Sequence, residues 1–390
     1  TLKGLAGDDT LSGQGGNDYI NGGLGSDTAS YSEKSFSVTV DFKTGLATTT
    51  IESDTLVSIE NIIGGTVADL FKMNEDNIDN AINGGNGSDT VSYEYYVSNG
   101  VKVNLSTSLA QIVVAGTDND VDTLTNIENI SGSTQDDTFI GSSTANSILG
   151  NAGNDTFIAG TDSNNDGVLD TWANDGSDYF DGGSGTGDWI DYSIITDDSN
   201  SGTNGLSLTL DGANIAIATV RGGSTDSILN VENVSGTQDS DNIKGDNQNN
   251  TIYGNAGNDI LSGEAGIDKL YGGADADTLL GGSGADILIG ESGNDTLTGD
   301  TGSDKIYGGT FDGTTHTDAG IDTVDYTDAL ETLTIDLQLS ATGGLATDGS
   351  IEGKSVGSTG TQGQGIDELY GIENIIGSNY NADTIYGSNT

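Results

Sequence analysis

Aspartates recur every nine residues along one stretch of the chain, each at the same place in a glycine-rich nonapeptide. From Gly245 the sequence reads GDNQNNTIY, GNAGNDILS, GEAGIDKLY, GGADADTLL, GGSGADILI, GESGNDTLT and GDTGSDKIY, and GTQDSDNIK from Gly236 precedes them in register. If the copies stack, the aspartates at position six form a column of carboxylates, which would repel one another without a cation. Carboxylate and main-chain carbonyl oxygens are ligands of Ca²⁺. The spacing therefore predicts bound Ca²⁺ as the cofactor.

The other positions of the nonapeptide indicate the elements that hold these carboxylates. Glycines in the first half supply backbone torsions that other residues avoid, which predicts a tight turn. The last three residues alternate around one apolar residue, which predicts a short strand with a single inward side chain. One such unit cannot close a core, whereas stacked copies pair their strands and form an apolar ladder. We therefore predict an all-β solenoid.

The nonapeptide resembles the RTX (repeats-in-toxin) motif GGxGxDxUx, a Ca²⁺-binding repeat. The resemblance implies a parallel β-roll in which two nonapeptides make one turn, so that loops two repeats apart share an ion. It implies that one loop gives its second and fourth carbonyls and its aspartate, and the other its first and third carbonyls and its aspartate. The ligand sets implied are Asn255, Gly257 and Asp259 with Gly272, Ala274 and Asp277, and Glu264, Gly266 and Asp268 with Gly281, Ser283 and Asp286.

The same resemblance implies that the apolar ladder divides between two sheets, Leu261, Leu279 and Leu297 on one and Leu270, Leu288 and Ile306 on the other. Shorter runs of the repeat begin at Gly4, Gly84 and Gly141. Asn146 and Asn250 depart from the pattern at position six. The further predicted metal ligands are Asp9, Asp18, Asp27, Asp89, Asp155, Asp241, Asp295, Asp304 and Asp322.

A longer unit interrupts the nonapeptides four times, and we call it the spacer unit. It begins with an aspartate and a tyrosine, continues as an alternating apolar strand, and ends on a variant of Ile-Glu-Asn-Ile. We predict longer strands here, stacked on the same solenoid. Its glutamates invite a catalytic interpretation, but four identical active sites are implausible, and we expect a solvated or capping role. These glutamates are Glu60, Glu128, Glu232 and Glu373.

These patterns divide the chain into five segments. Residues 1–83 hold a short repeat run and the first spacer unit, and 84–150 hold a second repeat and spacer unit. Residues 151–244 hold a separate acidic loop and the third spacer unit, 245–320 the continuous β-roll, and 321–390 the fourth spacer unit and the start of a further repeat. Both ends fall inside a repeat, and we expect a segment of a longer protein.

The acidic loop that begins at Asp162 stands apart from the nonapeptides. Its sequence DSNNDGVLD resembles an EF-hand or dockerin-like calcium loop, with oxygen-bearing residues at positions one, three and five and glycine at six. Ala173 occupies position twelve, where an EF-hand has its bidentate ligand. A polar surface loop is the alternative. The predicted ligands are Asp162, Asn164, Asp166 and Asp170.

Composition narrows the class of protein. The 390 residues include 61 acidic and 10 basic ones, a net charge of −51. Such a chain resists compaction unless cations neutralise it, and without the regular repeat it would indicate disorder. The negative charge excludes a nucleic-acid partner, and no apolar run is long enough to span a membrane. With no cysteine, no disulfide can stabilise the fold.

The sequence offers little for catalysis, and we predict that the chain is not an enzyme. His316 is the only histidine and Arg221 the only arginine, and there is no thiol, zinc motif or G-x-S-x-G elbow. A carboxylate pair for glycoside chemistry stays open among so many acids, but nothing singles one out. Trp172, Trp189 and the tyrosines could stack on sugars or pack at the edges of the solenoid.

The sequence therefore predicts a calcium-dependent structural segment of a secreted bacterial cell-surface protein, a surface layer or a giant adhesin. It would leave the cell unfolded, by type I secretion, and fold and assemble on binding Ca²⁺ outside. The expected partners are calcium ions, further copies or neighbouring domains of the chain, and surface polysaccharide. The alternatives are an accessory module of a secreted enzyme, resembling those of alginate epimerases or serralysin-type metalloproteases, and a carbohydrate-binding adhesin region.

Overall fold

The computed structural model describes residues 1–75, 78–107, 110–111, 121–159, 176–195, 205–220, 225–311, 316–317, 320–329, 334–336, 351–356, 367–379 and 383–386. These residues form strands joined by turns and contain no helix. In that part of the chain there is accordingly no helix that is long and apolar enough to cross a membrane. Two compact units are formed, Thr1–Trp189 with Gly223–Asn230 and Ile190–Gly222 with Val231–Thr390.

The strands are short and follow one another closely. Up to residue 191 they are β1 (Leu2–Ala6), β2 (Thr10–Leu11), β3 (Tyr19–Leu24), β4 (Thr28–Ser30), β5 (Thr39–Asp41), β6 (Leu46–Thr48), β7 (Ser53–Val57), β8 (Asn61–Ile63), β9 (Leu70–Lys72), β10 (Ala81–Asn83), β11 (Thr90–Ser92), β12 (Lys102–Asn104), β13 (Ala110–Gln111), β14 (Thr123–Thr125), β15 (Asn129–Ser131), β16 (Thr138–Ile140), β17 (Ser147–Leu149), β18 (Thr156–Ile158), β19 (Tyr179–Asp181) and β20 (Trp189–Asp191).

The remaining strands include those of the continuous repeat run. They are β21 (Leu206–Thr209), β22 (Ala216–Val220), β23 (Thr225–Leu229), β24 (Asn233–Ser235), β25 (Asn242–Lys244), β26 (Thr251–Ala256), β27 (Ile260–Ser262), β28 (Lys269–Ala274), β29 (Thr278–Gly284), β30 (Ile287–Ser292), β31 (Thr296–Gly302), β32 (Lys305–Phe311), β33 (His316–Thr317), β34 (Thr323–Asp325), β35 (Thr334–Asp336), β36 (Ile351–Val356), β37 (Glu368–Ile372), β38 (Asn374–Ile376) and β39 (Thr384–Tyr386).

From β25 to β32 in the second unit, successive strands alternate between two parallel sheets, and each of β25 to β30 pairs with the strand eighteen residues further on. Leu261 lies opposite Leu279, and Leu279 opposite Leu297, in one sheet. Leu270, Leu288 and Ile306 form the equivalent ladder in the other sheet. All six side chains are fully buried, and burial of each contributes about 1.5–3 kcal/mol. The predicted β-roll, with two nonapeptides per turn and two apolar ladders, is confirmed.

The first unit stacks its turns in the same way but fills the interior with larger side chains. β16 pairs in parallel with β18, which brings the Phe139 and Phe157 rings to 5.5 Å. Phe180, on β19, approaches Phe157 at 5.4 Å. All three phenylalanines are at most 1% exposed. The aromatic interior provides the core that the aspartate-rich loops flank.

The spacer units differ from their prediction in the length and direction of their strands. In the first spacer unit, β6 pairs antiparallel with both β5 and β7. In the third, β21 pairs antiparallel with β22. β5 and β21 have three and four residues, whereas β29, β31 and β32 have seven each. Strands of the nonapeptide run are longer because identical loops stack in register, so that pairing continues into the turn. A spacer unit instead leaves the parallel stack as a hairpin.

The predicted alternation of apolar residues in the spacer strands is present. Val38 and Val40 are fully buried in the first spacer unit, and Leu206 and Leu208 are at most 2% exposed in the third. The first strand of each hairpin also pairs in parallel with a strand of the stack. β5 pairs with β9 in the first unit, and β21 pairs with β25 in the second. The spacer units therefore extend the same core as the nonapeptides. The division of the chain into five segments stays a prediction.

Candidate functional site

The position-six aspartates of the continuous run are joined in two columns by hydrogen bonds from main chain to carboxylate. The Asp259 N–H donates to Asp277 Oδ1 at 2.8 Å, and the Asp277 N–H donates to Asp295 Oδ1 at 2.9 Å. In the other column, the Asp268 and Asp286 N–H groups donate to Oδ1 of the aspartates eighteen residues on, Asp286 and Asp304, both at 2.8 Å. Each carboxylate thus has one oxygen committed to the neighbouring turn.

The second carboxylate oxygen, Oδ2, is unusual in nine of the aspartate loops. It is buried and has no hydrogen-bond partner among the residues that the structure describes. A buried polar atom left unsatisfied costs about 1–3 kcal/mol, and more when charged. A cation would supply the missing interaction, so the donor chemistry fits Ca²⁺. The aspartates that share this feature are Asp9, Asp27, Asp89, Asp155, Asp259, Asp268, Asp277, Asp286 and Asp304.

A main-chain carbonyl faces eight of these nine oxygens, all but that of Asp304, across a position-one glycine. A Cβ on Gly254 would overlap both Asp259 Oδ2 and the carbonyl oxygen of Gly272, so only glycine leaves this space free. Gly263 stands in the same relation to Asp268 Oδ2 and the Gly281 carbonyl. The structure therefore brings a carboxylate and a carbonyl oxygen from successive turns to one small space, as a shared ion requires.

The other predicted carbonyl ligands lie in the same loops and bridge adjacent turns. The Ala274 carbonyl accepts a hydrogen bond from the Gly257 N–H at 3.2 Å, and the Ser283 carbonyl accepts one from the Gly266 N–H at 2.9 Å. The Glu264 carbonyl accepts one from the Ser283 N–H at 2.7 Å. A carbonyl oxygen has two lone pairs, so these bonds leave capacity for a cation. Whether all of these atoms bind the ion stays a prediction.

A second kind of loop satisfies its own position-six side chain. Asp241 Oδ2 accepts a hydrogen bond from the Thr237 N–H at 2.7 Å, while its Oδ1 accepts from the Leu206 N–H at 2.6 Å and the Thr237 hydroxyl at 2.7 Å. We call such loops closed, and those with an unpartnered Oδ2 open. The closed loops comprise residues 64–69, 132–137, 141–146, 236–241 and 245–250.

Position four separates the two kinds of loop. In open loops this residue has a positive φ, as at Gly257 (111°) and Gly266 (137°), and even the one aspartate found there, Asp275, adopts a φ of 77°. The left-handed turn costs about 1–2 kcal/mol for residues other than glycine. Closed loops carry other residues at position four, none with a positive φ: Val67, Gln135, Thr144, Asp239 and Gln248. A glycine at position four therefore indicates an open loop, whereas an aspartate there occurs in both kinds, as Asp275 and Asp239 show.

Asp241 therefore differs from the other predicted ligands. Its N–H joins the column by donating to Asp259 Oδ1 at 2.7 Å, but both of its carboxylate oxygens accept hydrogen bonds. Asn146 and Asn250 also lie in closed loops, where their Oδ1 atoms accept from Ser142 and Asp246 N–H groups at 2.6 and 2.9 Å. The two asparagines that depart from the pattern thus lie in loops whose position-six oxygen accepts a hydrogen bond within the protein.

The remaining predicted ligands lie at the margins of the repeat runs. Asp18 donates its N–H to Asp54 Oδ1 at 2.8 Å, and Asp322 donates its N–H to Glu373 Oε2 at the same distance. Asp295 donates to Asp322 Oδ1 at 2.9 Å and so continues its column into the fourth spacer unit. The acidic loop with Asp162, Asn164, Asp166 and Asp170 lies outside the described residues.

Sequence reasoning missed a set of aspartates that the spacer tyrosines bind. The Tyr31 hydroxyl donates to Asp54 Oδ2 at 3.2 Å, and the Tyr326 hydroxyl donates to Asp367 Oδ2 at 3.0 Å. Burial and the adjacent Asp54 carboxylate raise the pKa of Tyr31 well above its ordinary value. The shared signal is an Asp-x-apolar sequence, DTL or DEL, one strand before Ile-Glu-Asn-Ile. These aspartates, like those in closed loops, are satisfied by protein donors.

Burial raises the pKa of several open-loop carboxylates and so disfavours their ionised form. It raises the pKa of Asp259 to about 9, and the Asp241 and Asp277 carboxylates add to the effect. Burial likewise raises the pKa of Asp155 to about 8 and that of Asp268 to about 7. Protons and cations therefore compete for the same oxygens, because either one removes the unfavourable buried negative charge.

The sites must draw most of their ligands from the main chain. In the described part of the chain, no group of three or more histidine, cysteine, aspartate or glutamate side chains could hold a metal ion. Two carboxylates and several carbonyls from paired loops meet the six to eight oxygen ligands of Ca²⁺, whose geometry is flexible.

A family model described as the RTX calcium-binding nonapeptide repeat (four copies) matches residues 1–29, 131–165, 235–270, 254–288 and 280–315. The comparison with curated proteins found no match. The chain therefore carries RTX calcium-binding repeats in these segments, and the predicted resemblance is confirmed. The open loop at residues 84–89 lies outside the matched ranges.

Proposed function

We propose that this chain is a calcium-dependent structural segment of a secreted bacterial cell-surface protein, a surface layer or a large adhesin. The coarser part follows from the RTX repeats, which characterise calcium-binding structural segments of secreted RTX proteins. The observation that carries the proposal is the series of buried, unpartnered Oδ2 atoms in the open loops. Such atoms support the proposal, because a bound cation would supply the interaction that the protein does not.

Charge explains why such a segment would fold outside the cell and not inside it. With a net charge of −51, the ion-free chain favours expanded states. The open loops also bring aspartates into buried columns, which adds local repulsion to the overall charge. Binding of Ca²⁺ to the folded state alone stabilises it in proportion to the logarithm of the ion concentration. Low cytosolic Ca²⁺ therefore favours an export-competent chain, and millimolar external Ca²⁺ favours the roll.

A calcium titration followed by far-UV circular dichroism and light scattering tests this proposal. Starting from an EGTA-treated sample, we expect a cooperative gain of β-structure at sub-millimolar to millimolar Ca²⁺ and little response to Mg²⁺, which demands tighter octahedral geometry. An increase in scattering that parallels folding would support assembly into a surface structure.

Two results would contradict parts of the proposal. A fully folded spectrum in EGTA would show that the roll does not need its ions and would overturn metal-coupled folding. Folding on Ca²⁺ addition without any assembly, in the presence and absence of cell-surface polysaccharide, would favour a spacer or module role over a surface layer.

A further inference from the structure

The glutamates of the spacer units occupy the place that an aspartate holds elsewhere in the columns. The Asp27 N–H donates to Glu60 Oε2, and the Asp89 N–H donates to Glu128 Oε2, both at 2.8 Å. In the continuous run the same N–H donates to the aspartate of the next turn, as from Asp259 to its partner Asp277. A spacer glutamate therefore continues the column after an open loop.

The open loops that precede these glutamates have the features of an incomplete site. Asp27 and Asp89 are fully buried, and their Oδ2 atoms have no hydrogen-bond partner among the described residues. A Cβ on Gly22 would overlap both Asp27 Oδ2 and the Ser58 carbonyl oxygen. At Gly84, the equivalent overlap is with Asp89 Oδ2 and the carbonyl oxygen of Asn126.

A compact turn supplies these two groups. Ser58 has a φ of 49° and Asn126 a φ of 52°, and each lies two residues before its glutamate. In a nonapeptide the corresponding carbonyl and aspartate, such as Gly272 and Asp277, are five residues apart. The left-handed residue turns the chain within a shorter segment, and the longer glutamate side chain reaches the position that an aspartate occupies in a full loop.

We propose that Glu60 and Glu128 each complete a calcium site of mixed construction, with an open loop on one side and the compact spacer turn on the other. The ligands of the first site include Asp27 Oδ2, the Ser58 carbonyl and the Glu60 carboxylate. Those of the second site include Asp89 Oδ2, the Asn126 carbonyl and the Glu128 carboxylate. This inference rests on the proposed function, since it assumes that the open loops bind Ca²⁺.

A purely structural hydrogen bond would not require a charged acceptor at this place. A neutral amide oxygen accepts a main-chain N–H equally well, as Asn250 does from the Asp246 N–H within its own closed loop at 2.9 Å. A glutamate beside a buried aspartate is unfavourable without a cation, because the two negative charges repel each other. A divalent cation between the two carboxylates removes this repulsion.

The fourth spacer unit repeats the arrangement. The Asp322 N–H donates to Glu373 Oε2 at 2.8 Å, and a Cβ on Gly308 would overlap Asp322 Oδ2 and the carbonyl oxygen of Gly371. Gly371 has a φ of 63°, which is close to that of Ser58. The recurrence of this turn in a separate repeat shows that the spacer sequence, rather than a local accident, builds it.

Counting bound Ca²⁺ in charge-neutral glutamate variants of the full chain tests the proposal. Glu60→Gln and Glu128→Gln keep an oxygen that can accept the aspartate N–H but remove the charge. Competition with a chromophoric chelator, supported by native mass spectrometry, should show the loss of one tightly bound ion in each variant and of two in the double variant. Glu33→Gln removes the same charge from an exposed position and should leave the count unchanged.

The possible outcomes separate this proposal from the function on which it rests. If the wild-type chain binds Ca²⁺ and the glutamine variants bind the same number of ions with unchanged affinity, the mixed sites are overturned but the function stands. If a glutamine variant lacks β-structure even in saturating Ca²⁺, the glutamate has a structural role and the proposal is overturned. A wild-type chain that binds no Ca²⁺ overturns both.

Discussion

The loops that contain Asp241 and Asp259 are neighbours in one column, yet the carboxylates of these two position-six aspartates have different hydrogen-bond partners. The Asp241 N–H donates to Asp259 Oδ1 at 2.7 Å, so the two loops are in register. Asp241 accepts hydrogen bonds on both carboxylate oxygens, whereas Asp259 Oδ2 is buried with no partner among the described residues. An aspartate at position six therefore does not always leave a carboxylate oxygen without a protein partner, and the two outcomes go with different backbone conformations at position four.

The largest expected effect is on the pH dependence of the ion-free chain, since several open loops contribute to it. Burial raises the pKa of Asp259 to about 9 and that of Asp241 to about 7, and three hydrogen bonds to Asp241 oppose the rise there. Because the pKa values in the folded state exceed the ordinary value of about 3.9, the folded state binds protons more tightly than the unfolded state. Its stabilisation is complete below about pH 4 and is lost as pH rises towards 7–9.

In EGTA, we therefore expect more β-structure at pH 5 than at pH 8, measured by circular dichroism at constant ionic strength. Saturating Ca²⁺ should remove this dependence between pH 6 and pH 8, because the cation replaces the protons. Ion-free stability that increases with pH would contradict the description of the open-loop carboxylates.

The second prediction compares Asp259→Asn with Asp241→Asn. Removal of the Asp259 charge should weaken Ca²⁺ binding at that loop by roughly 100-fold, or about 2.7 kcal/mol. At least one ion should therefore no longer count as tightly bound. Asp241→Asn should leave the number of ions unchanged, because the oxygens of Asp241 are already hydrogen-bonded within the protein. Isothermal titration calorimetry with Ca²⁺ measures both, and equal losses in the two variants would remove the distinction between open and closed loops.

The smallest effect is expected from Thr237→Val. Valine matches the shape of threonine but lacks the buried hydroxyl that donates to Asp241 Oδ1 at 2.7 Å. The free energy of unfolding in saturating Ca²⁺ should fall by about 1 kcal/mol, with no change in the number of bound ions. Chemical denaturation monitors the change, and Thr237→Ser should retain most of the stability. A change in ion count would indicate that this closed loop also takes part in metal binding.

Much of the fold could be predicted from the period of the repeat. Nine residues with one inward apolar side chain fix the stacking of Leu261 on Leu279. In any other register the apolar side chains would not lie above one another, and neither would the glycine turns. The spacer hairpins could not be predicted in this way. Their alternating apolar residues, such as Val38 and Val40, suit a strand in either direction, and only the contacts with neighbouring turns select antiparallel pairing.

The candidate site was predictable in its columns but not in its individual loops. Sequence alone placed Asp241 and Asp259 in one class, because it weighed position six and not the backbone at position four. The spacer glutamates were expected to be solvated or capping groups. Their place in the columns depends on the positive φ of residues such as Ser58, which no side-chain pattern reveals, and on a carboxylate that reaches back over a shortened turn.

The eighteen-residue register of the continuous run also determines how the chain would respond to force. Each turn advances the stack by one strand spacing, about 4.8 Å, although its eighteen residues would span roughly 60 Å when fully extended. Under tension a turn that opens therefore releases more than ten times the length it occupied. A tether built of such turns yields in discrete steps while the turns beyond the break stay folded.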